Sequence, residues 1–122
     1  MPKIRVVFYR EDAGSVPVIE WLDTLSHKAL DKCRVRIERL QELGHELRRP
    51  EAEYLRDGIY ELRIGLEGRN YRLLYFFHGR TVAVLAHGVI KERVVPSGDI
   101  DKAIARKTKF EQDPKGHTYQ ED

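Results

Sequence analysis

Three consecutive stretches after Pro50, "IYELRIGL", "NYRLLYFF" and "TVAVLAHG", alternate apolar and polar residues with a period of two and are separated only by short glycine-containing turns. Strands joined this closely have no room for a crossover, so they must pair antiparallel in a meander. For the second hairpin, Gly79-Arg80 suits a type II′ turn, because glycine supplies the positive φ at its first central position. That turn pairs His78 with Thr81, Tyr75 with Val84, Leu73 with Ala86 and Arg72 with His87. For the first hairpin, a four-residue loop from Glu67 to Asn70 pairs Leu66 with Tyr71, Leu62 with Tyr75 and Arg63 with Leu74. One sheet face then reads Tyr60, Leu62, Ile64, Leu73, Tyr75, Val82, Val84 and Ala86, apolar enough to accept helices. The other gathers Glu61, Arg63, Arg72 and His87, with Leu74, Phe76, Ala83 and Leu85 beside them, and is expected to stay uncovered. Gly88 is expected to mark a bulge, with Lys91 and Arg93 beyond it and within reach of the same cluster.

The rest of the chain frames this meander. "KIRVVFYR" reads as a short strand. Ser15 as cap and Pro17 in the first turn predict a short helix over 16–25, with Val18, Leu22 and Leu25 at helical spacing. Ser26 caps a second helix, on which Leu30, Cys33, Ile37, Leu40 and Leu47 form the apolar stripe, and Gly44 bends or ends it. Lys28, Lys32, Arg36 and Arg39 share a different flank, read first as a solvated face balanced by Asp31, Glu38 and Glu42, from which Lys32 and Arg36 can assist RNA binding. Past Pro96, Ser97 or Asp99 is the expected cap of a final helix. The residues "EQDPKGHTYQED" are nearly free of aliphatic side chains and are expected to be mobile, with His117 and Tyr119 incidental. The expectation is an α+β fold in one domain over 1–110, followed by a flexible polar tail over 111–122.

A chain of 122 residues with 41% hydrophobic and 34% charged content has the balance of an ordinary globular domain. No apolar run approaches the length of a membrane span, and the opening residues lack the apolar core of a signal peptide, so a cytoplasmic protein is expected. The single Cys33 has no disulfide or metal partner of its own kind, and is read as a small buried residue. The net charge of +2 conceals an asymmetry, since residues 54–110 hold 11 basic and 6 acidic side chains whereas 111–122 hold 1 and 4. The meander is therefore the part suited to a polyanion.

Arginines facing one another across strands repel, so Arg63 and Arg72 must be offset by a carboxylate, for which Glu61 is available, or reserved for an anion. As a clamp their guanidinium groups donate paired hydrogen bonds to phosphate oxygens. Beside them His87 is pushed toward its neutral form and suits a general base or acid, and Lys91 suits charge stabilisation or proton delivery to a leaving oxygen. The 5 histidines lack the spacing of a ligand motif, and Walker, dinucleotide and nucleophile-elbow motifs are missing from the sequence. No metal, cofactor or small-molecule ligand is expected. A set of Arg, His, Lys and Glu suits RNA cleavage by the substrate's own 2′-hydroxyl, where the protein need only position, neutralise and exchange protons.

The order of these elements, with "IYELRIG", "YRLLYFF" and "HGVIKE", resembles the RelE superfamily of toxins, and most closely its HigB-like, phage-derived members, whose pattern runs Y-E-L-R, Y-R-x-L-Y-F-F and L-H-G-F-x-K-K. The likeness spans residues 3 to about 110. It implies a RelE-like fold of an N-terminal strand, two helices, an antiparallel meander packed on them and a C-terminal helix. It also implies the toxin half of a toxin–antitoxin pair, a ribosome-dependent mRNA endonuclease neutralised by a helix-turn-helix antitoxin. The resemblance assigns catalytic roles to Arg63, Arg72, His87 and Lys91, with Glu61, Arg93, Lys32 and Arg36 as the remaining RNA-facing candidates. The chain departs from the pattern at Glu92, where a second lysine is usual, at Glu61, and in having no tyrosine between Arg93 and Phe110. Two alternatives stay open. One is a ParE-like toxin that binds DNA gyrase without cutting RNA, and the other is an inactive prophage remnant that still binds an antitoxin.

Overall fold

The computed structural model describes residues 3–91 and 93–121, so the expectation attached to Glu92 lies outside the described residues. Strand β1 (Arg5–Tyr9) leads through helix α1 (Pro17–Leu22) and the long helix α2 (His27–Leu43) to a 3-10 turn at Gly44–Glu46. Strands β2 (Ala52–Arg56), β3 (Ile59–Leu66), β4 (Arg69–His78) and β5 (Val82–Ile90) follow, then helix α3 (Ser97–Gln112) and the two-residue strand β6 (Thr118–Tyr119). The sheet order is β2-β3-β4-β5-β1-β6, antiparallel except where β1 runs parallel to β5. This is the α+β arrangement the element order predicts. No described helix is long and apolar enough to cross a membrane.

Local chemistry explains the long helix. The Ser26 hydroxyl accepts a hydrogen bond from the Ala29 N–H at 3.2 Å, satisfying one of the free donors of the first turn. Ala29, Cys33 and Leu40 are buried along one stripe, flanked by Leu30 and Ile37. The helix stops at Gly44, which has φ +53° and packs so near Ile4 that a Cβ would lie 2.9 Å from its Cγ2. In α1, Pro17 opens the helix as expected, but the cap position is Val16 and not Ser15. In α3 the cap position is Pro96; Ser97 and Asp99 lie inside the first turn, and Asp99 has another use.

Both hairpins differ from the expected registers. The first turns over two residues, Glu67 and Gly68, with φ of 52° and 82°, so Leu66 pairs with Arg69 and Arg63 with Arg72. A shift of two residues leaves every side chain on its expected face. The second loop has three residues, pairing His78 with Val82, so the start of β5 is displaced by one residue and turned over. Ala83 and Leu85 therefore pack toward α1 and α2, whereas Val84 and Ala86 join Val7, Tyr9, Ile59, Leu74 and Phe76 on the opposite face. The bulge falls at Ala86, not at Gly88: Leu74 pairs with His87 and Tyr75 with Leu85. The extra residue returns His87 to the face of the arginines. Gly88 is needed for a different reason, since a Cβ there would lie 2.2 Å from Trp21 Cδ2.

The face expected to be open is covered along much of its length. Val95, Ile100, Ala103 and Phe110 pack onto it, and Phe76 and Phe110 meet edge to face at 5.6 Å. The apolar flank of α3 and the apolar half of this face would each cost free energy in water, so they pair. The tail is also not free over its first residues. His117 is 6% exposed, stacks on Tyr9 at 5.2 Å, and its Nδ1 donates to the Arg10 carbonyl at 2.7 Å, while Thr118 and Tyr119 pair with Tyr9 and Phe8. One buried imidazole and a two-residue backbone pairing anchor a segment that hydropathy alone marks as loose.

Candidate functional site

Register places the charged side chains in two rows. Glu53 on β2 faces Glu61 on β3, and Arg63 on β3 faces Arg72 on β4. Like charges directly opposite repel, so each row requires the other. Glu61, 3% exposed, supplies the link: its Oε2 accepts from Arg63 Nε at 2.8 Å, and its Oε1 lies 3.1 Å from Arg72 Nε. The second contact is out of line for a hydrogen bond and leaves the buried Arg72 Nε without an acceptor among the described residues. Arg63 also reaches Glu53, which in turn takes Arg49. Arg72 donates to the Arg93 carbonyl at 3.4 Å. Glu61 thus orients both guanidinium groups from beneath, a role for which its burial suits it.

A cleft of about 340 Å³ opens beside this network, lined by Glu53, Glu61, Arg63, Arg93, Val94 and Ile100 among others. Lys91 and Arg93 are exposed at the end of β5 and in the segment that follows it, and neither side chain has an ion-pair partner among the described residues. The structure thereby groups Arg63, Arg72 and the backbone of Arg93, with Lys91 on the adjoining strand end. Lys32 and Arg36 lie on α2, which packs on the other side of the sheet, so they do not share this surface. Arg36 is committed to the Arg63 carbonyl at 2.7 Å and to Glu51 at 3.7 Å, and Arg39 makes a two-pronged contact to the same Glu51.

His87 shares the face but belongs to a second group. Its Nε2 donates to Asp99 Oδ1 at 2.7 Å, and Arg106 donates to its Nδ1 at 3.3 Å and to the Ala86 carbonyl at 2.7 Å. Both ring nitrogens are engaged, so in this arrangement His87 ties α3 to β5 and holds no nitrogen ready for a substrate proton. Burial pushes its pKa below the ordinary 6.5; Arg106 and Lys102 act in the same direction, against the pull of Asp99. As partners of His87, Asp99 and Arg106 escaped the sequence reading, in which Asp99 is only a candidate cap, although their spacing of seven puts them on one flank of a helix. Glu53 escaped it too, because β2 has only a weak apolar alternation.

The sign of the His87 shift predicts an acid-sensitive joint. The unfolded chain takes up a proton near pH 6.5 whereas the folded one resists it, so the associated stability is complete above that pH and is lost as pH falls toward the lower folded value. Thermal unfolding should therefore show Tm falling as the pH drops below about 6.5, before most carboxylates titrate. In His87→Gln this part of the slope should flatten; an unaltered slope would place its origin elsewhere.

Among the described residues no group of three or more His, Cys, Asp and Glu side chains is arranged to hold a metal ion. Residues 20–108 match the family described as phage-derived protein Gp49-like. No curated protein matches the chain.

Proposed function

The chain belongs to the phage-derived Gp49-like family, and on that premise we propose that it is the toxin of a toxin–antitoxin pair, a cytoplasmic endoribonuclease that cuts mRNA in the ribosomal decoding site. The observation that carries this reading is the direct pairing of Arg63 with Arg72 over one buried carboxylate. Two facing guanidinium groups over one buried carboxylate can donate to the oxygens of a phosphodiester, and their charge is best used on the negative charge that grows at phosphorus. The 2′-hydroxyl of the substrate is the nucleophile: it gives its proton to water and forms the O2′–P bond as the P–O5′ bond breaks, leaving a 2′,3′-cyclic phosphate on one fragment and a free 5′-hydroxyl on the other. Lys91, exposed beside the pair, stabilises or protonates the leaving 5′-oxygen. His87 serves by position: it fixes α3 against β5 and so sets the edge of the cleft. It becomes a general base only if Arg106 releases Nδ1. The partner is a small helix-turn-helix antitoxin, and the ribosome supplies the remaining grip on the message.

A second reading has an observation of its own. Glu53 and Glu61 already neutralise much of the arginine charge, which suits a ParE-like protein that acts by contact with DNA gyrase. Expression without the antitoxin separates the two. The first reading expects growth arrest with cuts in ribosome-bound messages ending in 2′,3′-cyclic phosphate. Growth arrest with intact messages and gyrase-linked DNA breaks would establish the second. Undisturbed growth with intact messages would remove both, leaving a remnant that retains the fold.

A further inference from the structure

The two carboxylates of the arginine network are not equivalent. Glu61 is 3% exposed and contacts the Nε atoms of both arginines, whereas Glu53 sits on β2, the edge strand, with a quarter of its side chain exposed. Glu53 bridges a terminal nitrogen of Arg63 to Arg49, itself 72% exposed. Arg63 does not need this contact to stay in place. Glu61 holds its Nε, its N–H donates to the Glu51 carbonyl at 2.9 Å, and its carbonyl accepts from Arg36. What Glu53 does occupy is the outward N–H of Arg63, at the wall of the cleft where an oxyanion would dock. A carboxylate and a phosphate present similar oxygens to a guanidinium, so one excludes the other.

Building on the ribonuclease reading above, we propose that Glu53 is a resident stand-in for the RNA phosphate: it holds Arg63 and Arg49 in the free protein and leaves them when a phosphodiester arrives. Arg49 then becomes a further RNA contact. Being on an edge strand and near solvent, Glu53 can swing away without breaking the sheet or the Glu61 support. Its pKa lies below the usual carboxylate value, chiefly through its hydrogen bond with Arg49, so it is charged at neutral pH and competes as an anion. RNA held by its own contacts alone is disfavoured, and RNA presented by the ribosome is not.

The test measures binding of a 2′-O-methyl RNA dodecamer, which cannot be cleaved, to the full chain over a series of salt concentrations. Glu53→Gln preserves size and hydrogen bonding while removing the competing charge. It should bind about tenfold tighter than wild type and with a steeper salt dependence, because two more cations reach phosphates. Glu111→Gln removes the same charge from a pair with Lys107 on α3 and should change affinity far less. Adding Arg49→Ala to Glu53→Gln should return part of the gain. Equal binding by Glu53→Gln and wild type, or an equal gain in Glu111→Gln, overturns the proposal. Should the glutamine variant fold poorly by thermal unfolding, Glu53→Ala serves in its place with the same expected order of affinities. Cleavage on ribosomes without any gain in oligonucleotide affinity would sink the Glu53 inference and leave the ribonuclease reading standing. A gain in affinity with no cleavage by any variant would do the reverse.

Discussion

Replacing Arg72 with alanine should lower message cleavage on ribosomes by about a hundredfold or more, the scale at which one donor aimed at developing charge contributes to a reaction. Arg72 is 11% exposed in its side chain, faces Arg63 across β3 and β4, and carries a buried Nε without a hydrogen-bond acceptor among the described residues. Removing it halves the clamp but leaves Glu61 bonded to Arg63 at 2.8 Å, so the buried carboxylate keeps a partner and the fold should survive. Arg72→Lys restores a point charge without the planar fork and should recover part of the rate. The informative comparison is cleavage against Tm. A folded Arg72→Ala protein that cuts at the wild-type rate would take Arg72 out of the mechanism, and a variant inactive only because it has unfolded would show a collapsed Tm.

Gly88→Ala should destabilise the protein by about 3 kcal/mol through overpacking, equivalent to a fall of about 10 °C in Tm. The added Cβ would lie 2.2, 2.4 and 2.7 Å from Trp21 Cδ2, Cε3 and Cγ. No rotamer change of the new methyl group relieves a contact with a ring that close. Either Trp21 leaves its edge-to-face contact with Tyr71, 6.4 Å away, or β5 moves outward at Gly88, and with it the neighbouring His87 and the strand end that carries Lys91. A double variant identifies which. With Trp21→Leu already in place, Gly88→Ala should cost much less, because the two effects share one cause. Additive losses would locate the strain in the β5 backbone instead.

Some of this was readable from residues alone. The alternation in "IYELRIGL" and "NYRLLYFF" places Leu62, Ile64, Leu73 and Tyr75 on one face and Glu61, Arg63, Arg72 and Leu74 on the other, and the structure keeps that division because the error in the first loop is two residues. Turn residues restrict φ but do not set loop length: "LEGRN" serves a four-residue loop as well as the two-residue turn that forms, and "HGRT" serves two residues as well as three. The one-residue error in the second loop turned Val82 to Ala86 onto the wrong faces. A bulge at Ala86, which no local feature marks, brought His87 back. His87 was therefore placed correctly for the wrong reason.

The sequence by itself determined the helix of 17 residues capped by Ser26, the meander, and the row of arginines along it, because capping and alternation act between residues a few positions apart. Tertiary structure alone decided that α3 lies over the supposedly open face, that Asp99 and Arg106 take both nitrogens of His87, that Glu53 reaches Arg63, and that His117 anchors the tail on Tyr9. Each of those depends on groups far apart in the chain that meet only after the sheet has closed, and their free energy comes from burial and partnership that neither segment has alone.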